Sequence, residues 1–292
     1  MSSSRSRIIG CLFALAVLLG GCSALRFTYN QAPQLSYWQI DSYFNVSDEQ
    51  APLVREALAG WYRWHRAEEL PDYADQLARL QAEALLPATA AQACGWLDQA
   101  LSRFERAASH ALPQVAELAL TVTPQQIAHL ERKHRDLNDD FTKKFLQPTP
   151  QARREAQVER VVERTEDFYG RLDRDQRHRI AEAVAKSPFD ADRLFAERVA
   201  RQQAVVQMLR RVVAERPAAG QVQQMLRTLV AHLRQSPRDA YAGYQQRLRQ
   251  FNCAFIADIH NAMTPAQREH AARKLQGYEE DVRALASAAV PG

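Results

Sequence analysis

Glycine is scarce in this chain. Ten occur in 292 residues, well below the roughly 7% of average usage. Three of the ten, Gly10, Gly20 and Gly21, stand in the first 21 positions. There is no Asn-Gly or Asp-Gly dipeptide, so the strongest hairpin signal is missing. Neither GxGxxG nor GxxxxGKS/T occurs, which excludes a dinucleotide fingerprint and a P-loop as written. A Gly-x-Ser-x-Gly elbow and an HExxH metal motif are also lacking. No stretch alternates with period two for long enough to suggest a strand. What is abundant is Ala, Leu, Gln, Arg and Glu, all good helix formers.

The formal charge of +4, from 38 basic and 34 acidic residues, points weakly toward an anionic partner. Arg5 and Arg7 belong to a segment expected to be removed, which leaves a net of about +2. Acidic and basic residues are interleaved, and no basic stripe with aromatic interleaving is present, so a nucleic-acid partner is not expected. The first residues carry the most specific signal. Arg5 and Arg7 precede an apolar run from Ile8 to Leu19, too short to span a bilayer comfortably. Leu19-Gly20-Gly21-Cys22 follows and resembles a bacterial lipobox. The expectation is cleavage before Cys22, lipid on that cysteine, and a mature chain held on a membrane through the lipid. Ser at position 23, in place of Asp, implies by the same resemblance the periplasmic face of the outer membrane.

Of the four cysteines, Cys11 would leave with the signal segment and Cys22 would carry lipid. Cys94 and Cys253 remain, an even pair in an oxidising compartment, and a disulfide between them is predicted. On a helical wheel Cys253 lies opposite the apolar stripe of its helix, which predicts an exposed thiol if it is unbonded.

Residues 22–46 read as a lipidated tether and an aromatic lead-in, with Phe27, Tyr29, Tyr37, Trp38, Tyr43 and Phe44. Flexible linkers are Gly/Ser-rich or Pro-rich; this segment is expected to pack on the body as short helical turns. Residues 47–292 then read as one all-helical domain. Helices are predicted near 48–67, 71–86, 89–110, 123–146, 150–170, 173–186, 190–215, 218–234, 237–262 and 264–287. Five starts share one device: Ser47…Gln50, Thr89…Gln92, Thr123…Gln126, Asp173…Gln176 and Thr264…Gln267. In such a capping box the cap side chain accepts from the N3 amide while the Gln reaches back to the cap N–H. Apolar residues recur at helical spacing, for example Ile127, Leu130, Leu137, Phe141 and Phe145. With short connections, the predicted fold class is all-α, an irregular antiparallel multi-helix bundle without a sheet.

Leu25-Arg26-x-x-Tyr29-Asn30, Leu35-x-x-Trp38-x-x-Asp41-x-Tyr43-Phe44, Val46-Ser-Asp-Glu-Gln50 and Trp61-x-x-Trp64-His65-Arg66-x-x-Glu69-Leu70-Pro71-x-Tyr73 together resemble a family of uncharacterised bacterial lipoproteins. The resemblance implies a helical lipoprotein facing the periplasm and no particular activity. Val122-Thr-Pro-Gln-Gln126 and Met263-Thr-Pro-Ala-Gln267 are similar to the LTxxQ motif of periplasmic stress proteins and chaperones, although Leu is replaced by Val and Met and this chain is far longer.

The best local constellation is Trp61, Trp64, His65, Glu68, Glu69 and Tyr73. Val54, Leu58, Trp61 and His65 share a helical face, with Glu69 one turn on. An imidazole beside a carboxylate can serve as a base, and Trp and Tyr suit a binding surface; packing alone would use the same residues. Glu131-x-x-His134 has di-iron spacing but no second copy, so no metal, cofactor or catalytic residue is expected. The reading that follows is a non-enzymatic envelope lipoprotein binding a periplasmic protein or peptide. A chaperone-like holdase, or an enzyme or small-ligand binder using Trp61, His65 and Glu69, are the alternatives.

Overall fold

A computed structural model describes residues 23–288. Cys22, Cys11 and the segment read as a signal lie outside the described residues. The chain is all-helical. In order, the helices are α1 (Ser23–Phe44), α2 (Ala51–Trp64), α3 (Leu70–Glu83), α4 (Ala90–Leu120), α5 (Pro124–Phe145), α6 (Pro150–Tyr169), α7 (Arg174–Lys186), α8 (Ala191–Glu215), α9 (Ala219–Arg234), α10 (Asp239–Asn261) and α11 (Pro265–Ser287). No strand occurs among the described residues.

The five capping boxes form as predicted, four of them at the Thr89, Thr123, Asp173 and Thr264 caps of α4, α5, α7 and α11. At Ser47 the same exchange occurs: the Ser47 N–H donates to Gln50 Oε1 and the Gln50 N–H to Ser47 Oγ. Four of the boxes also dock in pairs. Gln50 Nε2 donates to the Thr121 carbonyl, and Gln126 Nε2 to the Asn45 carbonyl. Gln176 Nε2 donates to the Ala262 carbonyl, and Gln267 Nε2 to the Arg171 carbonyl. Each glutamine thus reaches the carbonyl two residues before the other box's cap, and the two amides also bond one another. Satisfying those carbonyls on neighbouring turns locks helix starts together in twos.

Three expectations about helix bounds are corrected. Residues 23–44 form one continuous helix rather than short turns. It is docked by side chains: Arg26 to Asp281, Tyr29 to His65, Asn30 to Arg66 and Ser36 to Tyr62. The predicted break near 67–71 is absent. A π-helical turn, His65–Glu69, joins α2 to α3, and the Leu70 N–H donates to the His65 carbonyl five residues back. Pro71 has no N–H to continue an α-ladder, and the wider turn just before it lets the rod carry on through the proline. Finally, α4 runs to Leu120 with Pro113 inside it, not to 110. Burial of Leu112, Ala116 and Ala119 offsets what a proline costs in an isolated helix.

At 31 residues, α4 is about 46 Å long and joins the core regions. Near its end, Ala116 and Ala119 pack with Ile127, Leu130, Val206, Leu209, Val212 and Val222. Near its start, Ala93 packs with Cys253 and Ala257 of α10. A third cluster, Val162, Leu172, Ile180, Val184, Ile259 and Met263, ties α6, α7 and α10. Of the charges between Arg153 and Asp167, three bridge to neighbouring helices: Arg153 to Asp192, Glu166 to Arg177 and Asp167 to Lys274.

Cys94 and Cys253 form a disulfide across a sequence separation of 159. The wheel argument for Cys253 is overturned all the same. The residue is buried, because α10 is covered on a second side by α4, where Ala93 and Ala257 allow close approach.

Candidate functional site

The six residues of the sequence-derived constellation lie around the π-helical turn. A π-turn is itself a place to look, since such bulges often mark functional positions. This one turns His65, Arg66 and Glu69 inward together. The His65 ring stacks on Trp61, with centroids 4.6 Å apart, and meets Tyr73 edge-on. Its Nδ1 is hydrogen-bonded to the Tyr29 hydroxyl at 2.8 Å. Trp61 donates from Nε1 to the Ala107 carbonyl, and Trp64 stacks on His110. Burial pushes the His65 pKa down to about 4 and the Tyr29 pKa up to about 12, so at neutral pH the pair is uncharged.

Glu69 is fully buried. Its carboxylate faces Arg106 and, at 3.7 Å, Arg103, which also pairs with Asp72. Neither contact to Glu69 has the alignment of a hydrogen bond, so the carboxylate is held by charge. His65 and Glu69, predicted to be partners, are served by different groups: a tyrosine for the first, arginines for the second. Burial raises the Tyr73 pKa, and Glu69 adds to the shift. Glu68 is exposed and takes no part. Arg66 is buried beneath α1, donating to the Leu285 carbonyl and to Asn30 Oδ1 while lying over the Tyr29 ring.

His65 is only 8% exposed, and none of the main surface hollows among the described residues is lined by any of the six. The arrangement is a filled polar core under α1. Chemically it can hold a neutral imidazole and a buried carboxylate in place.

A second histidine, not singled out in the sequence, has nearly the same surroundings. His260 is 2% exposed. Its Nδ1 is bonded to the Tyr169 hydroxyl at 2.8 Å, and its Nε2 donates to the Leu86 carbonyl at 2.7 Å. Trp96 lies edge-on to the ring. Burial lowers the His260 pKa and raises that of Tyr169 to about 12. Next to it, Asn261 bonds both the N–H and the carbonyl of Ala88, pinning the connection between α3 and α4. Unlike His65, His260 stands in the wall of a groove of about 600 Å³ between α4, α6 and α10. Local spacing gives no signal for it: His260 follows Ile259 near the end of α10, and its partner Tyr169 comes from another helix.

His134 is half-buried, with its pKa lowered by burial and then by Arg198, while Glu131 pairs with Arg210. Among the described residues no three His, Cys, Asp or Glu side chains gather where a metal ion would be held. No helix among them is long and apolar enough to cross a membrane.

A family of unknown function (DUF6279) matches residues 42–235. The chain belongs to that family. The matched stretch runs from the end of α1 through α9, so it includes the His65 core and excludes His260. No curated protein and no solved structure matches the chain.

Proposed function

We propose that this DUF6279 protein is an outer-membrane lipoprotein, anchored through Cys22 on the periplasmic face, whose work is to bind another protein or peptide rather than to catalyse a reaction. The observation that carries the reading is the outer face of α1. The described part of that helix begins at Ser23, next to Cys22 in the sequence. Its exposed residues include Ala24, Phe27, Thr28, Gln31, Gln34, Leu35 and Trp38, which share one side at helical spacing. Phe27 is 67% exposed, Trp38 57% and Leu35 44%. The helix's charged residues, Arg26 and Asp41, are both engaged inward or at its end, with Asp281 and the Val46 N–H. An uncharged face with exposed Trp and Phe has the composition of a buried interface.

The closed geometry around His65 leaves a small-ligand site there without room. The LTxxQ-like starts, which suggested a holdase, have their glutamines, Gln126 and Gln267, engaged in helix docking.

Two measurements test the reading. Mass spectrometry of the N-terminal peptide is expected to find a lipid-modified Cys22 as the first residue; an N-terminus elsewhere removes the anchor. A photoreactive amino acid at position 38 of the full chain in cells is expected to give a discrete protein adduct that the same group at exposed Arg174 does not. Adducts to lipid alone would overturn the binding-factor reading and leave the anchor standing.

A further inference from the structure

The groove beside His260 has features of a ligand site. Its volume, about 600 Å³, lies within the range of small-molecule pockets, about 300–1,000 Å³. Trp96, Phe168, Phe255, Ile259 and Leu275 are among the apolar side chains of its wall. No carboxylate lines it, and of its lining residues only Arg164 carries a formal charge at neutral pH, His260 being buried and neutral.

Arg164 is exposed and, among the described residues, makes neither an ion pair nor a hydrogen bond. On α6, Arg153 has the Asp192 carboxylate and Arg160 the Lys144 carbonyl, while Arg154 is as free as Arg164 but does not line the groove. Arg160, one turn away, adds a second positive charge: its pKa is lowered first by burial and then by Arg164. Across the groove, the half-buried amide of Asn252 also has no hydrogen-bond partner. A concave apolar wall bordered by an unpaired guanidinium and an unpaired amide matches an amphiphile with one anionic head and one apolar tail. The Arg fork suits a planar carboxylate, which it can hold through two parallel N–H bonds, and the Asn amide offers a further donor. The Cys94–Cys253 disulfide joins α4 to α10 beside the groove, so two of its walls are fixed before anything binds.

We propose that this groove binds a long-chain carboxylate, the aliphatic chain lying against Trp96, Phe168 and Phe255 and the carboxylate held by Arg164 and Asn252. The proposal goes beyond the protein-binding reading and does not depend on it, since the groove and the α1 face are separate surfaces.

The test uses the full chain in membranes and a sixteen-carbon fatty acid bearing a mid-chain diazirine. After irradiation, labelled peptides are mapped by mass spectrometry. Labelling is expected within 161–169 and 252–260, with excess palmitate suppressing it and excess hexadecylamine failing to. Arg164→Glu is expected to cut labelling by about tenfold, the scale of one charge-assisted contact, without altering the melting temperature, since the side chain is exposed and unpaired. Labelling elsewhere, equal suppression by the amine, suppression by phospholipid vesicles as strong as by palmitate, or full labelling of the Arg164→Glu variant would each overturn the proposal. Should that variant lose its fold, Asn252→Asp supplies the second test: a negative charge at the head position must suppress labelling.

Discussion

His65 and His260 are built alike and placed differently. Each ring has its Nδ1 bonded to a tyrosine hydroxyl at 2.8 Å, each has a tryptophan beside it, and each has its pKa lowered by burial. The surroundings divide them. His65 is sealed beneath α1, next to a buried Glu69 held by arginines. His260 lines a groove whose helices are joined by a disulfide. A buried Tyr–His pair is therefore not by itself a mark of function in this protein. Such a pair satisfies polar groups where helices meet, and the space beside it decides whether anything else can use the place.

The largest expected effect comes from breaking the disulfide. Replacing Cys94 and Cys253 by alanine should lower stability by about 2–5 kcal/mol, given the long loop it closes. Urea unfolding gives the value, and hydrogen exchange gives its location. Faster exchange is expected in 90–100 and 250–262, with little change in 61–73, where α1 and the arginine pairs do the holding. A uniform increase over both centres would mean that they unfold as one unit.

Acid should separate them next. The His65 pKa is pushed down to about 4 from 6.5, so the unfolded chain binds its proton first as pH falls. The stability tied to the neutral ring is complete above pH 6.5 and is lost progressively down to about pH 4. Its size is at most about 3 kcal/mol, reduced by whatever water reaches the ring. At His260 burial acts in the same direction, but the Leu86 carbonyl, which accepts from Nε2, works against it, and a shallower dependence is expected. Comparing unfolding at pH 7 and pH 5 in the wild type, His65→Gln and His260→Gln isolates each ring from the carboxylates titrating nearby. An equal loss of pH dependence in the two variants would erase the difference between the centres.

The parts of this architecture that a sequence reveals are those written in local spacing. Thr123-Pro-Gln-Gln126 announces its own helix start, because cap and glutamine are three residues apart, and the structure forms that box. The apolar stripe of α5 is legible for the same reason. What was illegible depends on residues distant in sequence. That Gln126 would also reach the Asn45 carbonyl, or that Cys253 would face Ala93, follows from how helices pack and not from any period. Pro33 and Pro113 lie inside helices and Pro71 just after the π-turn, where tertiary packing outweighs the end that proline suggests locally. At the candidate site, grouping Trp61, His65, Glu69 and Tyr73 was readable from one helix. The tyrosine and arginines that claim His65 and Glu69 come from α1 and α4. His260 escaped notice because Tyr169 and the Leu86 carbonyl both arrive from elsewhere in the chain.

The smallest expected effect tests solvent access most directly. Tyr29→Phe and Tyr169→Phe each remove one hydroxyl and leave an Nδ1 without its partner. In a dry core that orphaned acceptor costs about 1–3 kcal/mol, whereas a nitrogen that water can reach loses only the net value of one hydrogen bond, about 1 kcal/mol or less. A groove runs beside His260, yet that residue is 2% exposed against 8% for His65. Tyr169→Phe should therefore destabilise at least as much as Tyr29→Phe, each by about 1–3 kcal/mol in urea unfolding. The imidazole nitrogen shifts in NMR should show the Nδ1 of each ring bare in its variant. A smaller loss for Tyr169→Phe, with water bonded to His260 Nδ1, would show that the groove delivers solvent to the ring.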